Sequence, residues 1–117
     1  VVGDWVFVSG AGGREQGSRH VRSMSPVLQI QDALDKLTQR LNEAGTSLEN
    51  TVCLRCFVVG DMGEMLWDGP VMDYFRKNAP KSAEDMPAVT IVGLNNLCVA
   101  EMIVEVEAIA VMPERST

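Results

Sequence analysis

Two carboxylates two residues apart, Glu105 and Glu107, are the side chains of this sequence best placed by type and spacing to do chemistry. They stand in Met102 to Val111, a run whose alternation reads as a β-strand. Side chains alternate along a strand, so both acids share a face with Ile103, Ile109 and Val111. Met102, Val104, Val106, Ala108 and Ala110 make the opposite, continuously apolar face. Acids set among aliphatics on the second face of such a strand belong at a cleft or a subunit interface. A cleft lined by isoleucine and valine disfavours the charged carboxylate, which suits Glu105 to general acid or base work. The competing reading is a solvated or interface carboxylate. Glu107 reads as structural, a partner for a base in a neighbouring subunit.

Arg55 is the second candidate. It lies mid-strand in Thr51 to Val59, sharing a face with Cys53, Phe57 and Val59. A charge there needs a partner or a wet cleft. It is either a substrate-binding guanidinium or one half of an ion pair with Glu105 or Glu107 inside an oligomer. Cys53 and Cys56 form a C-x-x-C, but residues three apart on a strand point to opposite faces, so both read as small buried thiols. With one histidine and no second cysteine pair, a structural zinc site is not expected, nor any other metal or cofactor. The glycines Gly10, Gly12 and Gly13 follow a strand as in a nucleotide loop. Such a loop needs a helix straight after it, and Arg14 to Arg22 has no helical period. It reads as a hairpin or loop, solvated, although Arg14, Arg19 and Arg22 could swing over a cleft.

These groups need elements to hold them. The first strand is Trp5 to Ser9, ending at Gly10. Ser25 as N-cap and Pro26 at the first helical position open a helix. Ile30, Leu34, Leu37, Leu41 and Ala44 form its apolar stripe, and Gly45 closes it. After the Val52 to Val59 strand, a second helical region runs from about Gly63 to Asn78, interrupted at Asp68-Gly69-Pro70, with Val71, Phe75 and Met72 turned inward. Asn78 to Met86 reads as a polar loop. Met86 to Val111 reads as two strands folded about Asn95-Asn96 into a hairpin. The order suggests one domain over residues 1–117, with two helices covering one face of a sheet. The other face carries Phe57, Val59, Ile103 and Ile109, and a patch of that kind is expected to be buried in an oligomer.

The 117 residues carry 10 Lys and Arg against 16 Asp and Glu, a net charge of −6. Tight nucleic-acid binding needs many cationic phosphate contacts, so no nucleic-acid partner is expected. Three cysteines, an odd count outside a small secreted scaffold, point to a reducing cytoplasm. No stretch is long and uncharged enough to span a membrane. The opening, Val1-Val2-Gly3-Asp4-Trp5, is already strand-like with no basic leader, as in a chain preceded by a further segment.

Taken in order, several segments resemble the RidA/YjgF family, the reactive-intermediate deaminases, also described as L-PSP endoribonuclease-like. They are Gly3-Asp4, Val8-Ser9-Gly10, Leu41 to Gly45, Ser47 to Val52, Tyr74-Phe75, Pro87-Ala88 and Val104 to Ala110. The resemblance implies a chorismate-mutase-like α+β fold. It also implies a homotrimer whose sheets form a central barrel, with small-molecule sites between subunits. Family deaminases hydrolyse imines or enamines such as 2-aminoacrylate to a keto acid and ammonia. Carried over by position, Ser9 matches the family serine and Glu105 the glutamate that handles water. Asp68 stands at the family asparagine, and Val89 at the arginine that grips the substrate carboxylate. The family's N-terminal aromatic is absent from this sequence.

Valine cannot neutralise a carboxylate, and Asp68 would repel one. The resemblance therefore implies a hydrolase of a C–N or activated carbonyl substrate other than the usual 2-imino acids. Glu105 would act on water, Ser9 and Thr90 would offer hydrogen bonds, and Arg55 would be a replacement grip. The alternative is a non-catalytic ligand-binding or regulatory trimer. RNA cleavage stands third, because the chain is acidic and lacks a histidine pair.

Overall fold

The computed structural model describes residues 1–114. Four strands form one mixed sheet in the order β1-β4-β2-β3, where β1 is Trp5–Gly12, β2 Thr51–Val59, β3 Ala88–Leu94 and β4 Val104–Val111. Helix α1, Pro26–Glu43, crosses from β1 to a 3-10 turn at Leu48–Asn50 that leads into β2. The fold is α+β, as expected, with the helices on one sheet face.

Helix α1 begins as its sequence dictates. The Ser25 hydroxyl accepts from the Leu28 N–H, and Pro26 occupies the first turn, where a missing N–H costs nothing. Ile30, Leu34, Leu37 and Leu41 are fully buried against β1 and β4. Each such burial contributes roughly 1.5–3 kcal/mol. Gly45, at φ +94°, takes the left-handed turn that ends the helix.

Strand β4 alternates buried and half-buried along its whole length, with Val104, Val106, Ala108 and Ala110 facing the helices. That pattern suits a central strand. It pairs antiparallel with both β1 and β2, while β3 lies parallel to β2 at the edge. The hairpin expected about Asn95-Asn96 therefore does not form, because β2 separates the two strands. A tight two-residue hairpin turn needs positive φ at its first central residue at least, and neither asparagine has it. Residues 95–103 instead cross over β2, carrying the chain past one strand spacing on each side.

Three further boundaries differ from the sequence reading. β1 runs on to Gly12, with a bulge between Val8 and Ala11. The second helical region is continuous: α2, Gly63–Leu66, passes through a π-helical turn at Trp67–Val71 into α3, Met72–Asn78. Pro70 has no N–H to give, and the widened turn absorbs it without a break. The expected polar loop contains α4, Pro80–Glu84, started by Pro80 and anchored by buried Ser82, whose hydroxyl donates to the Glu49 carbonyl at 3.5 Å. Among the described residues no helix is long and apolar enough to cross a membrane.

Candidate functional site

The bulge in β1 shapes the site. It sets Gly10 and Gly12 beside β4, with Gly12 opposite Glu105. A Cβ on Gly10 would land inside the Glu105 carboxylate, and one on Gly12 would strike Met102. The glycines that resembled a nucleotide loop thus make room for an acid and a thioether. Arg40, on α1, closes the bulge: its Nη1 donates to the carbonyls of Ser9 at 3.2 Å and Gly10 at 3.3 Å.

The loop from Gly13 to Ser25 forms the outer wall. Arg22 grips Asp32 with two nitrogens, at 2.8 and 3.1 Å, and Lys36 Nζ donates to the Arg14 carbonyl. His20 Nδ1 meets Glu101 at 2.5 Å, and the Val21 N–H donates to the same carboxylate at 3.3 Å. That hydrogen bond, then the Glu101 charge, holds His20 above its ordinary pKa of 6.5; His20 in turn holds Glu101 below 4.5. Arg14, Gln16 and Gly17 of this loop line one side of a cleft of about 520 Å³, which is also lined by Gly10, Lys36, Arg40, Met102 and Glu105. Burial, followed by the charge of Arg40, holds Lys36 below its ordinary 10.5.

The two acids of β4 have different company. Glu107 faces Arg55 across the β2–β4 register, and Arg55 Nε lies 2.7 Å from its carboxylate. Arg55 and Glu107 thus form an ion pair within one chain, whereas the partner expected for Glu107 was a base of a neighbouring subunit. Thr90 continues the same row on β3, opposite Arg55. Glu105, half-buried, makes no side-chain hydrogen bond or ion pair among the described residues.

Ser9 is exposed on the strand face of Trp5 and Phe7, outside the cleft lining, and contributes its carbonyl to Arg40. Val89 turns to the helix side and packs against the core, and Asp68 is exposed in the π-helical turn. Within one copy, neither lines the cleft that holds Glu105. Cys53 is half-buried and Cys56 buried, on opposite faces as expected, and burial pushes the Cys56 thiol up to about 12. No group of three metal-binding side chains occurs among the described residues. Lys36, Arg40 and Cys98 were not singled out from the sequence. The signal for the first two was present: they stand four apart on the flank of the α1 stripe.

A family model described as endoribonuclease L-PSP matches residues 1–112. No curated protein matches the chain. Solved structures do. The E. coli YjgF gene product is 20% identical with TM-score 0.82, over 97% of this chain and 84% of that one. Yeast Mmf1 is 23% identical with TM-score 0.79, over 97% and 83%. E. coli TdcF, solved with bound serine, is 18% identical with TM-score 0.83, over 97% and 84%. Identities this low show the fold, and the family match over nearly the whole sequence shows the lineage: the chain belongs to the RidA/YjgF family, the endoribonuclease L-PSP group.

Proposed function

We propose that the protein is a homotrimeric hydrolase acting between subunits on a C–N or activated carbonyl bond, with Glu105 as the group that handles water. The observation that carries this reading is the contrast between the two acids. Glu107 is neutralised by Arg55, whereas Glu105 has no hydrogen-bond or ion-pair partner among the described residues and stands in a cleft, over a glycine that gives it space. A free carboxylate there accepts a proton from water as the oxygen adds to an imine carbon. Glu105 returns that proton to the nitrogen, and as the tetrahedral adduct collapses to a carbonyl its hydroxyl proton also passes to the departing amine.

Val89 supports a substrate other than a 2-imino acid, since no guanidinium at that position can take a carboxylate beside the reacting carbon. The same substitution favours a second reading, a ligand-binding trimer that kept the fold without the chemistry. TdcF with bound serine supports small-molecule binding in the family in either case. Ammonia and carbonyl release from a panel of imines and enamines separates the readings. We expect turnover of at least one substrate that is not a 2-imino acid, and slow turnover of 2-aminoacrylate generated by a separate dehydratase. A 2-aminoacrylate rate equal to that of an arginine-bearing relative contradicts the substrate assignment.

A further inference from the structure

The acidic chain gathers three of its ten Lys and Arg residues along one cleft. Lys36 and Arg40 are one helical turn apart on α1, an arrangement of like charges that destabilises a helix slightly. The acid one turn before Lys36 is Asp32, and Arg22 already holds it with two hydrogen bonds. Glu43, which also lines the cleft, accepts from Gln39 at 3.0 Å. Arg14 lines the same cleft, and its carbonyl accepts from Lys36 Nζ. None of the three cations has a carboxylate within ion-pair distance among the described residues. Desolvation and the neighbouring Arg40 already penalise the charge on Lys36, so an anion there relieves a strain the fold carries. Walls of low polarisability focus the field of such a cluster even in a molecule of opposite net charge.

We propose that Arg14, Lys36 and Arg40 form an anion subsite, and that the ligand of this cleft is a small molecule with a phosphate or carboxylate at one end and its reacting carbon at the other, over Glu105. The volume, about 520 Å³, suits a ligand of that size. The inference rests on the proposed reading of the cleft and names its substrate class. It also accounts for Val89: the anionic group is held from α1, some atoms away from the reacting carbon, instead of beside it.

Calorimetric titration of the full-length protein with inorganic phosphate and with glutarate, at matched ionic strength, tests the subsite. We expect one saturable site per chain for at least one probe, weakened by added salt. Arg14→Gln combined with Lys36→Gln should weaken it by about tenfold or more, the usual consequence of losing charge-assisted hydrogen bonds. Arg14→Gln alone, at an exposed loop position, should weaken it in the same direction and guards against misfolding of the double variant. A response to phosphate only assigns a phosphate-bearing ligand, and a response to glutarate only assigns a carboxylate-bearing one. Glu105→Gln should bind the anion as well as or better than the parent, since it removes a nearby negative charge. No saturable binding of either probe, or binding unchanged in both cation variants, overturns the subsite. A short RNA binding far more tightly than both probes overturns the small-molecule assignment. Failure of the hydrolase reading looks different: no imine or enamine is turned over, or Glu105→Gln keeps full turnover, while anion binding and its loss in the cation variants persist.

Discussion

At the scale of residues, Glu105 and Glu107 show how position decides the role of identical side chains. They share a strand face, yet one is spent on Arg55 and the other is left over a glycine. The alternation that put both on one face was plain in the sequence. Which acid Arg55 would take was not, because that depends on the β2–β4 register, which pairs Arg55 with Glu107 and Phe57 with Glu105. The pair is partly exposed, so Arg55→Ala should cost about 1 kcal/mol or less in urea unfolding. A substantially larger loss would mean the pair is buried in an assembly. Gly10→Ala should be more telling. The added methyl must displace the Glu105 carboxylate, so activity should fall sharply while the strand, which tolerates alanine, still forms. Unchanged turnover in Gly10→Ala would show that the placement of Glu105 is not critical. The thiols should react in order of exposure, Cys98 first, Cys53 slowly and Cys56 only on unfolding, as a timed reaction with a chromogenic disulfide would reveal.

At the scale of elements, α1 was legible because its caps and apolar stripe are local signals. The hairpin was misread because pairing between distant strands leaves no local trace, and β3 and β4 each look like a good partner for the other. Gln29 escaped the stripe for a related reason. It is a buried polar residue whose partners, the carbonyls of Ser23 and Glu101 and the N–H of Ile103, lie mostly far along the chain. Its amide ties α1 to the segment that enters β4. Gln29→Leu strands these backbone groups and should cost about 3 kcal/mol by urea denaturation. A loss under 1 kcal/mol would mean that the segment finds other partners. The β1–α1 loop has its own pH dependence. A histidine whose folded pKa is raised stabilises fully below 6.5 and loses that contribution as pH climbs through its folded value. Glu101, held low, contributes above 4.5 and loses it as pH falls through its folded value. The loop is thus best anchored between about 4.5 and 6.5. An NMR titration of His20 should give a midpoint above 6.5 that returns toward 6.5 in Glu101→Gln. Identical midpoints in the two proteins would contradict the pairing.

At the scale of the whole molecule, the sheet has one face under helices and one that no helix covers among the described residues. Trp5 and Phe7, 49% and 59% exposed, stand on the bare face beside β4. A homotrimer built on that face is part of the proposed function, and light scattering should return three times the 12.8 kDa chain mass. Phe7→Glu should shift that mass toward a monomer. A parent protein that stays monomeric at micromolar concentration would remove the inter-subunit site. The family pattern was readable because many short segments kept their order, whereas the anion cleft depends on a bulge and a loop that only the folded chain brings together. The claim that Glu105 does chemistry is tested most directly by the turnover of Glu105→Gln on the first substrate found, with the assembly mass measured on the same sample. The amide keeps the shape and cannot accept a proton at neutral pH. The account predicts a loss of about a hundredfold or more in turnover with the mass unchanged. Full turnover in the variant would contradict it.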